Sequence, residues 1–130
     1  MESLIFDTTF LIDFQRERKH NSGCAHRFLE QNRNARAYLS IVAYGEYAEG
    51  FTDLSHPAFV SVVESFEIVE INRKIAECYA NIARELRVKG LRIGSNDIWI
   101  AASAIQHDWT LVTRNLEHFA RVPHIRLVNY

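Results

Sequence analysis

Three carboxylates in this 130-residue chain stand where a charge is out of place. Asp7 closes the apolar run Leu4-Ile5-Phe6. Glu46 lies inside the segment from Ile41 to Ala48, and Asp97 opens Ile98-Trp99-Ile100-Ala101-Ala102. A buried carboxylate is costly unless a partner or a cation neutralises it. Brought together, three such groups repel one another and raise their own pKa values. A divalent ion removes that repulsion and makes the cluster useful, and a donor set of carboxylate oxygens suits Mg2+ or Mn2+. Such an ion polarises a phosphate oxygen and lowers the pKa of a bound water, which is the chemistry of phosphodiester hydrolysis.

Each acid also has a plainer role when taken singly. Asp7 can be a turn or cap residue ahead of a helix. Glu46 can be a solvated helix residue, and Glu49 lies one turn away from it. Asp97 can be a first-turn acid favoured by the helix dipole. It shares a face with Ala101 and Ala104, and small residues there permit close packing that would draw it inward. Thr113-Arg114-Asn115 can be a plain strand-to-helix turn with Asn115 as its cap. In the functional reading, the Thr113 hydroxyl and the Asn115 amide orient the acids or metal-bound waters, and Arg114 meets a phosphate.

The elements that must position these groups are legible in outline. Residues 3–7 read as a short buried strand, because the run is continuous and apolar. Thr8 or Thr9 can cap a helix over 10–18, and a second helix covers 24–31. A strand at 37–39 leads to Ser40, a cap for a helix ending near Gly50. His56-Pro57 starts a short helix, and 66–71 reads as strand. Asn72 caps a long helix with Ile75, Cys78, Tyr79, Ile82 and Leu86 on one face, stopped by Gly90. Ser95 caps another, with Ile98, Ala101, Ala102 and Ile105 inward. A strand at 109–112, a short helix at 115–120 and a strand at 125–128 complete the pattern. Strands alternating with helices predict an α/β fold, a three-layer α/β/α sandwich around a central, mostly parallel sheet. In such sheets ligands bind beyond the carboxyl ends of the strands. Asp7 and Thr113 follow strand ends, and Glu46 and Asp97 read as first-turn helix residues, so all four reach one edge.

Length and composition predict a single domain over 1–130 with a real core. No apolar run approaches the ~20 residues needed to cross a bilayer. Met1-Glu2-Ser3 does not read as a secretory signal. Cys24 and Cys78 lack metal or disulfide spacing and fit reduced thiols in a cytoplasmic protein. The six histidines show no paired spacing, which argues against zinc. A net charge of -1 means that a nucleic-acid partner would meet a local patch, such as Arg114, Arg121 and Arg126.

Four stretches resemble the PIN domains, and among them the VapC-type toxins of toxin–antitoxin pairs. Ile5-Phe6-Asp7-Thr8-Thr9 is similar to the family opening, a strand ending in Asp-Thr-Asn/Ser. Glu46-Tyr47-Ala48-Glu49-Gly50 resembles the helix carrying the second acid four residues before a glycine. Asn96-Asp97-Ile98-Trp99-Ile100-Ala101-Ala102 is similar to the third-acid helix. Leu111-Val112-Thr113-Arg114-Asn115 resembles the last motif. The resemblance implies Asp7, Glu46 and Asp97 as metal-binding acids, with Asn115 in the catalytic set. Thr9 and Thr113 are expected as supporting hydroxyls and Arg114 as an RNA phosphate contact. It further implies a Mg2+- or Mn2+-dependent endoribonuclease, a cognate antitoxin protein as partner, and a homodimer. Thr9 departs from the commoner Asn or Ser. Asn115 stands where many members carry a fourth Asp, which lowers the charge available to a second metal. That departure motivates the alternative of a non-catalytic PIN-like RNA- or protein-binding module. Phosphotransfer is disfavoured, because Thr9 stands where haloacid-dehalogenase enzymes need a second Asp.

Overall fold

In the computed structural model, which describes residues 2–130, the apolar run before Asp7 is the centre of the sheet. The strands are β1 (Ser3–Phe6), β2 (Arg36–Ser40), β3 (Glu67–Val69), β4 (Thr110–Val112) and β5 (Leu127–Val128), in the order β3-β2-β1-β4-β5. All four pairings are parallel, so the mostly parallel sheet of the sequence reading is parallel throughout. β1 is paired on both edges, with Ile5 opposite Tyr38 of β2 and Leu111 of β4. Leu4, Ile5 and Phe6 are buried as a block, which is why the run is continuous rather than alternating.

Among the described residues seven helices connect the strands: α1 (Thr8–Glu17), α2 (Cys24–Gln31), α3 (Ile41–Ala48), α4 (Pro57–Val63), α5 (Arg73–Val88), α6 (Ser95–His107) and α7 (Leu116–Phe119). Right-handed crossovers put α1 to α4 on one face. The return across the sheet from β3 to β4 puts α5 and α6 on the other, with α7 following. Contacts of α1 with α2, α3 and α4, and of α5 with α6, agree with that layering. On the first face Phe6 packs against Phe10 and Phe66 at centroid distances of 4.6 and 5.1 Å. On the second, Tyr79 and Trp99 stack at 4.0 Å.

Local signals explain most boundaries. Ser40 accepts a hydrogen bond from the Val42 N–H, and His56 Nδ1 accepts one from Ala58 ahead of Pro57. Asn72 Oδ1 accepts from the Ile75 N–H at 2.9 Å, the first orphan donor satisfied on α5. At the other end Gly90 takes φ +70°, with Gly90 N–H on Arg87 O and Leu91 N–H on Leu86 O. Only a residue without Cβ adopts that left-handed cap freely. Replacing Asn72 by Ala is expected to cost about 1 kcal/mol in urea denaturation, with the fold retained.

Several local expectations need correction. Asp7, not Thr8 or Thr9, is the cap of α1, because its carboxylate accepts from the Phe10 N–H at 3.1 Å. Gly94, not Ser95, precedes α6, and no side chain caps it. Gly50 does stand just past the end of α3, where its N–H closes a tight turn onto Tyr47 O. Glu46 stands near the end of α3 rather than in its first turn, since that helix begins directly after β2. α6 buries Ile98 and every residue from Ile100 to Ala104, so it is a core helix and not a one-sided one. On the apolar face of α5, Ile75, Ile82 and Leu86 are buried and Cys78 and Tyr79 are half-buried. Among the described residues no helix is long and apolar enough to cross a membrane.

Candidate active site

Asp7 leaves the sheet at its centre, between β2 and β4, where the strand order reverses direction. Crevices in parallel sheets open at such a switch point, outside the carboxyl ends of the strands. The Asp7 N–H continues the ladder onto Val112 O at 3.3 Å, which fixes the backbone beside the end of β4. Its side chain then turns into the crevice and is only 4 % exposed.

Two donors hold that carboxylate. Oδ1 accepts from the Phe10 N–H, and Oδ2 accepts from the Thr113 hydroxyl at 2.7 Å. Thr113 follows β4, is fully buried, and accepts in turn from the Asn115 N–H at 3.0 Å. The expected supporting role of Thr113 is thus visible as a contact. Burial pushes the Asp7 carboxyl up, the charges of Asp97 and Asp13 push it further, and the two hydrogen bonds oppose them. Repulsion between the acids therefore exists, but desolvation outweighs it.

Glu46 is joined to the immediate neighbours of both aspartates. Oε1 accepts from the Thr8 hydroxyl at 2.6 Å, and Oε2 accepts from the Asn96 amide at 3.1 Å. Thr8 follows Asp7 and Asn96 precedes Asp97, so α1, α3 and α6 converge on one glutamate. Asp97 lies in the first turn of α6, half-buried, with Oδ2 3.0 Å from His118 Nε2 of α7. Three hydrogen-bonded groups, Thr113 with Asp7, Glu46 with Thr8 and Asn96, and Asp97 with His118, are joined only through the chain neighbours Asp7-Thr8 and Asn96-Asp97.

Other expected residues are placed differently. Thr9 is exposed on α1, and the hydroxyl that meets an acid is that of Thr8. Asn115 sits at the cap position of α7 without using its side chain as a cap, and it is exposed. Arg114 is half-exposed, with Nε 3.7 Å from Asp13 Oδ2. The sequence reading missed the roles of Thr8, Asn96 and His118. Thr8 and Asn96 lie within the motif stretches, each adjacent to an acid, and His118 lies one turn past Asn115, which was the available signal.

Among the described residues no three His, Cys, Asp or Glu side chains are grouped so as to hold a metal ion. Each acid instead meets a hydroxyl, amide or imidazole. The donor chemistry nonetheless fits a hard divalent cation, because buried Asp7 faces the carboxylate charges of Asp97 and Asp13 and no described cation contacts it. The arrangement can therefore concentrate negative potential at one sheet edge, with Arg114 on its border.

Known proteins resemble this arrangement over its whole length. The PIN domain family model matches residues 4–125. Ribonuclease VapC1 of Methanocaldococcus jannaschii is 30% identical over 128 residues, 98% of this chain and 86% of that protein. Ribonuclease VapC2 of Rickettsia felis is 42% identical over 64 residues, a match spanning 49% of this chain and 48% of that protein. The crystal structure of VapBC2 from Rickettsia felis bound to a DNA fragment from their promoter superposes with a TM-score of 0.87, at 25% identity, covering 98% of each chain.

Proposed function

This chain belongs to the PIN domain family, and from that premise we propose that it is a metal-dependent endoribonuclease, the toxin of a toxin–antitoxin pair. The observation that carries the reading is the pair of hydrogen bonds on Glu46 at the carboxyl edge of the sheet. They link Glu46 to the neighbours of both Asp7 and Asp97. The similarity to ribonucleases over nearly the full chain supports the substrate class.

Asp7, Asp97 and Glu46 would hold the ion, Mg2+ or Mn2+ by their oxygen chemistry. When bound, such an ion polarises a phosphate oxygen and makes its water a nucleophile near neutral pH. The protein's own part is positioning. Thr113 fixes the Asp7 rotamer from below, and Thr8 with Asn96 aims Glu46 toward the same edge. His118 braces Asp97. Buried Thr113 and Phe10 keep water from one side of Asp7, so its charge is poorly screened by solvent. Arg114 faces solvent beside this edge and would meet the RNA backbone. Asn115 would contact substrate or metal-bound water from the start of α7.

A small antitoxin is the expected protein partner, because VapBC complexes are among the structures that this fold matches. A homodimer and a cytoplasmic site of action belong to the same proposal. The test is cleavage of a structured RNA, such as transfer RNA, with Mg2+ or Mn2+. Cleavage is expected to stop on chelation and to fall at least 100-fold in Asp97→Asn, since charge at such a site is worth several kcal/mol. Undiminished cleavage in either condition would sink the mechanism.

A second reading rests on one observation: every acid here already has a hydrogen-bonding neighbour. A module of this fold that holds RNA or protein without cutting it would look the same. RNA affinity without cleavage in either metal, and no divalent binding by calorimetry, would select that reading.

A further inference from the structure

Tyr130 and Asp13 form a second polar cluster on the border of the acid edge, and neither has a place in the chemistry above. The Tyr130 hydroxyl donates to Asp13 Oδ2 at 2.7 Å. The same carboxylate oxygen lies 3.7 Å from Arg114 Nε. The guanidinium carbon of Arg114 stands 4.9 Å from the centroid of the Tyr130 ring, a cation–π distance. That ring is itself fixed edge-on against Phe10 at 4.7 Å. Phe10 is the residue whose N–H holds Asp7, so the cluster and the acid edge share a rigid base.

A long arginine on a surface turn normally samples many rotamers, and fixing it costs entropy on binding. Here an ion pair at Nε and a ring beneath the guanidinium plane restrict it from two directions. The two Nη groups have no hydrogen-bond partner among the described residues and form a planar fork that suits a phosphate. We propose that Asp13 and Tyr130 are positioning residues that pre-set Arg114 for an RNA phosphate next to the acid edge. The inference rests on the ribonuclease reading for its ligand, but only on these three side chains for its geometry.

Affinity for a single-stranded oligoribonucleotide tests it, measured in an Asp7→Asn chain with chelator so that no RNA is cut. Arg114→Ala is expected to weaken binding about 10-fold, the worth of one charge-assisted contact. Asp13→Asn is expected to weaken it about 3-fold although it removes a negative charge. Simple electrostatics demands tighter binding from that substitution, so unchanged or tighter binding overturns the proposal. Tyr130→Phe keeps the ring and loses the hydroxyl. It is expected to weaken binding by a similar factor in the parent and by nothing once Arg114 is Ala. Equal losses in both backgrounds, or no measurable RNA binding, also overturn it. Absence of cleavage by the unsubstituted chain, with this coupling intact, would instead remove the ribonuclease reading and leave the positioning role standing.

Discussion

Asp7→Asn is expected to abolish RNA cleavage, by about 1000-fold or more, while raising the stability of the protein at neutral pH. The amide keeps the shape of the carboxylate: its oxygen can still accept from the Phe10 N–H, and its NH2 can donate to the Thr113 hydroxyl oxygen in place of the bond that Asp7 Oδ2 accepts. What disappears is one buried charge. A loss of three decades corresponds to about 4 kcal/mol of transition-state stabilisation, within the range for charge at a metal site. The stability gain follows from the raised carboxyl of Asp7, whose first cause is burial and whose lesser causes are Asp97 and Asp13. As pH rises above the ordinary carboxylate range, the unfolded chain releases this proton before the folded chain does. The folded state then binds more protons, and stability falls with pH until the folded group has also ionised. Above that point the penalty is constant, and the Asn variant does not carry it. Melting temperatures at pH 4 and pH 7 check this. The variant should gain at pH 7 and differ little from the parent at the acid end. A variant less stable than its parent at pH 7 would refute the account of burial.

Phe10→Ala is expected to act in the opposite direction and to be the most destabilising single change near the site. Its ring is fully buried and meets Phe6, Phe28 and Tyr130 at 4.6, 6.1 and 4.7 Å. Removing it leaves a cavity at the joint between β1, α1 and α2, at a cost of about 3–5 kcal/mol. Domains have only about 5–15 kcal/mol in total, so the urea midpoint should fall by a large fraction. The Asp7 hydrogen bond is to the backbone of residue 10 and survives the truncation in principle. Cleavage per folded molecule should therefore drop far less than in Asp7→Asn. A loss under 1 kcal/mol would mean that neighbouring rings refill the space.

The two substitutions separate what the sequence could and could not reveal. β1 was legible because a strand buried on both faces leaves an uninterrupted apolar run, and Asp7 was legible because it ends that run. The order of elements then put Thr113 on the same edge without any knowledge of packing. Thr8 and Thr9 are a different case. They are consecutive on one helix, about 100° apart, and which of them meets Glu46 depends on how α1 lies against α3. No local pattern encodes that angle. Glu46 was assigned to the wrong turn although both ends of α3 were legible: counted from the Ser40 cap it is the sixth helical residue, and it reaches the edge only because α3 is short. The contact of His118 was not legible because its partner is 21 residues away, across the packing of α6 and α7. Arg114 was read as a phosphate contact, with no sign of what would hold it in place. The tyrosine and aspartate that restrain it lie at distant points of the chain and meet only in the fold.

The contact between Thr113 and Asp7 spans 106 residues of sequence. β1 likewise waits for β4 before its second edge is paired. A polypeptide emerging from the ribosome thus carries its first acid long before anything exists to complete the crevice around it. Pairings so remote in sequence close late and slowly. Synthesis itself accordingly orders the assembly: the crevice around Asp7 cannot be complete until the residues up to Thr113 are free to fold.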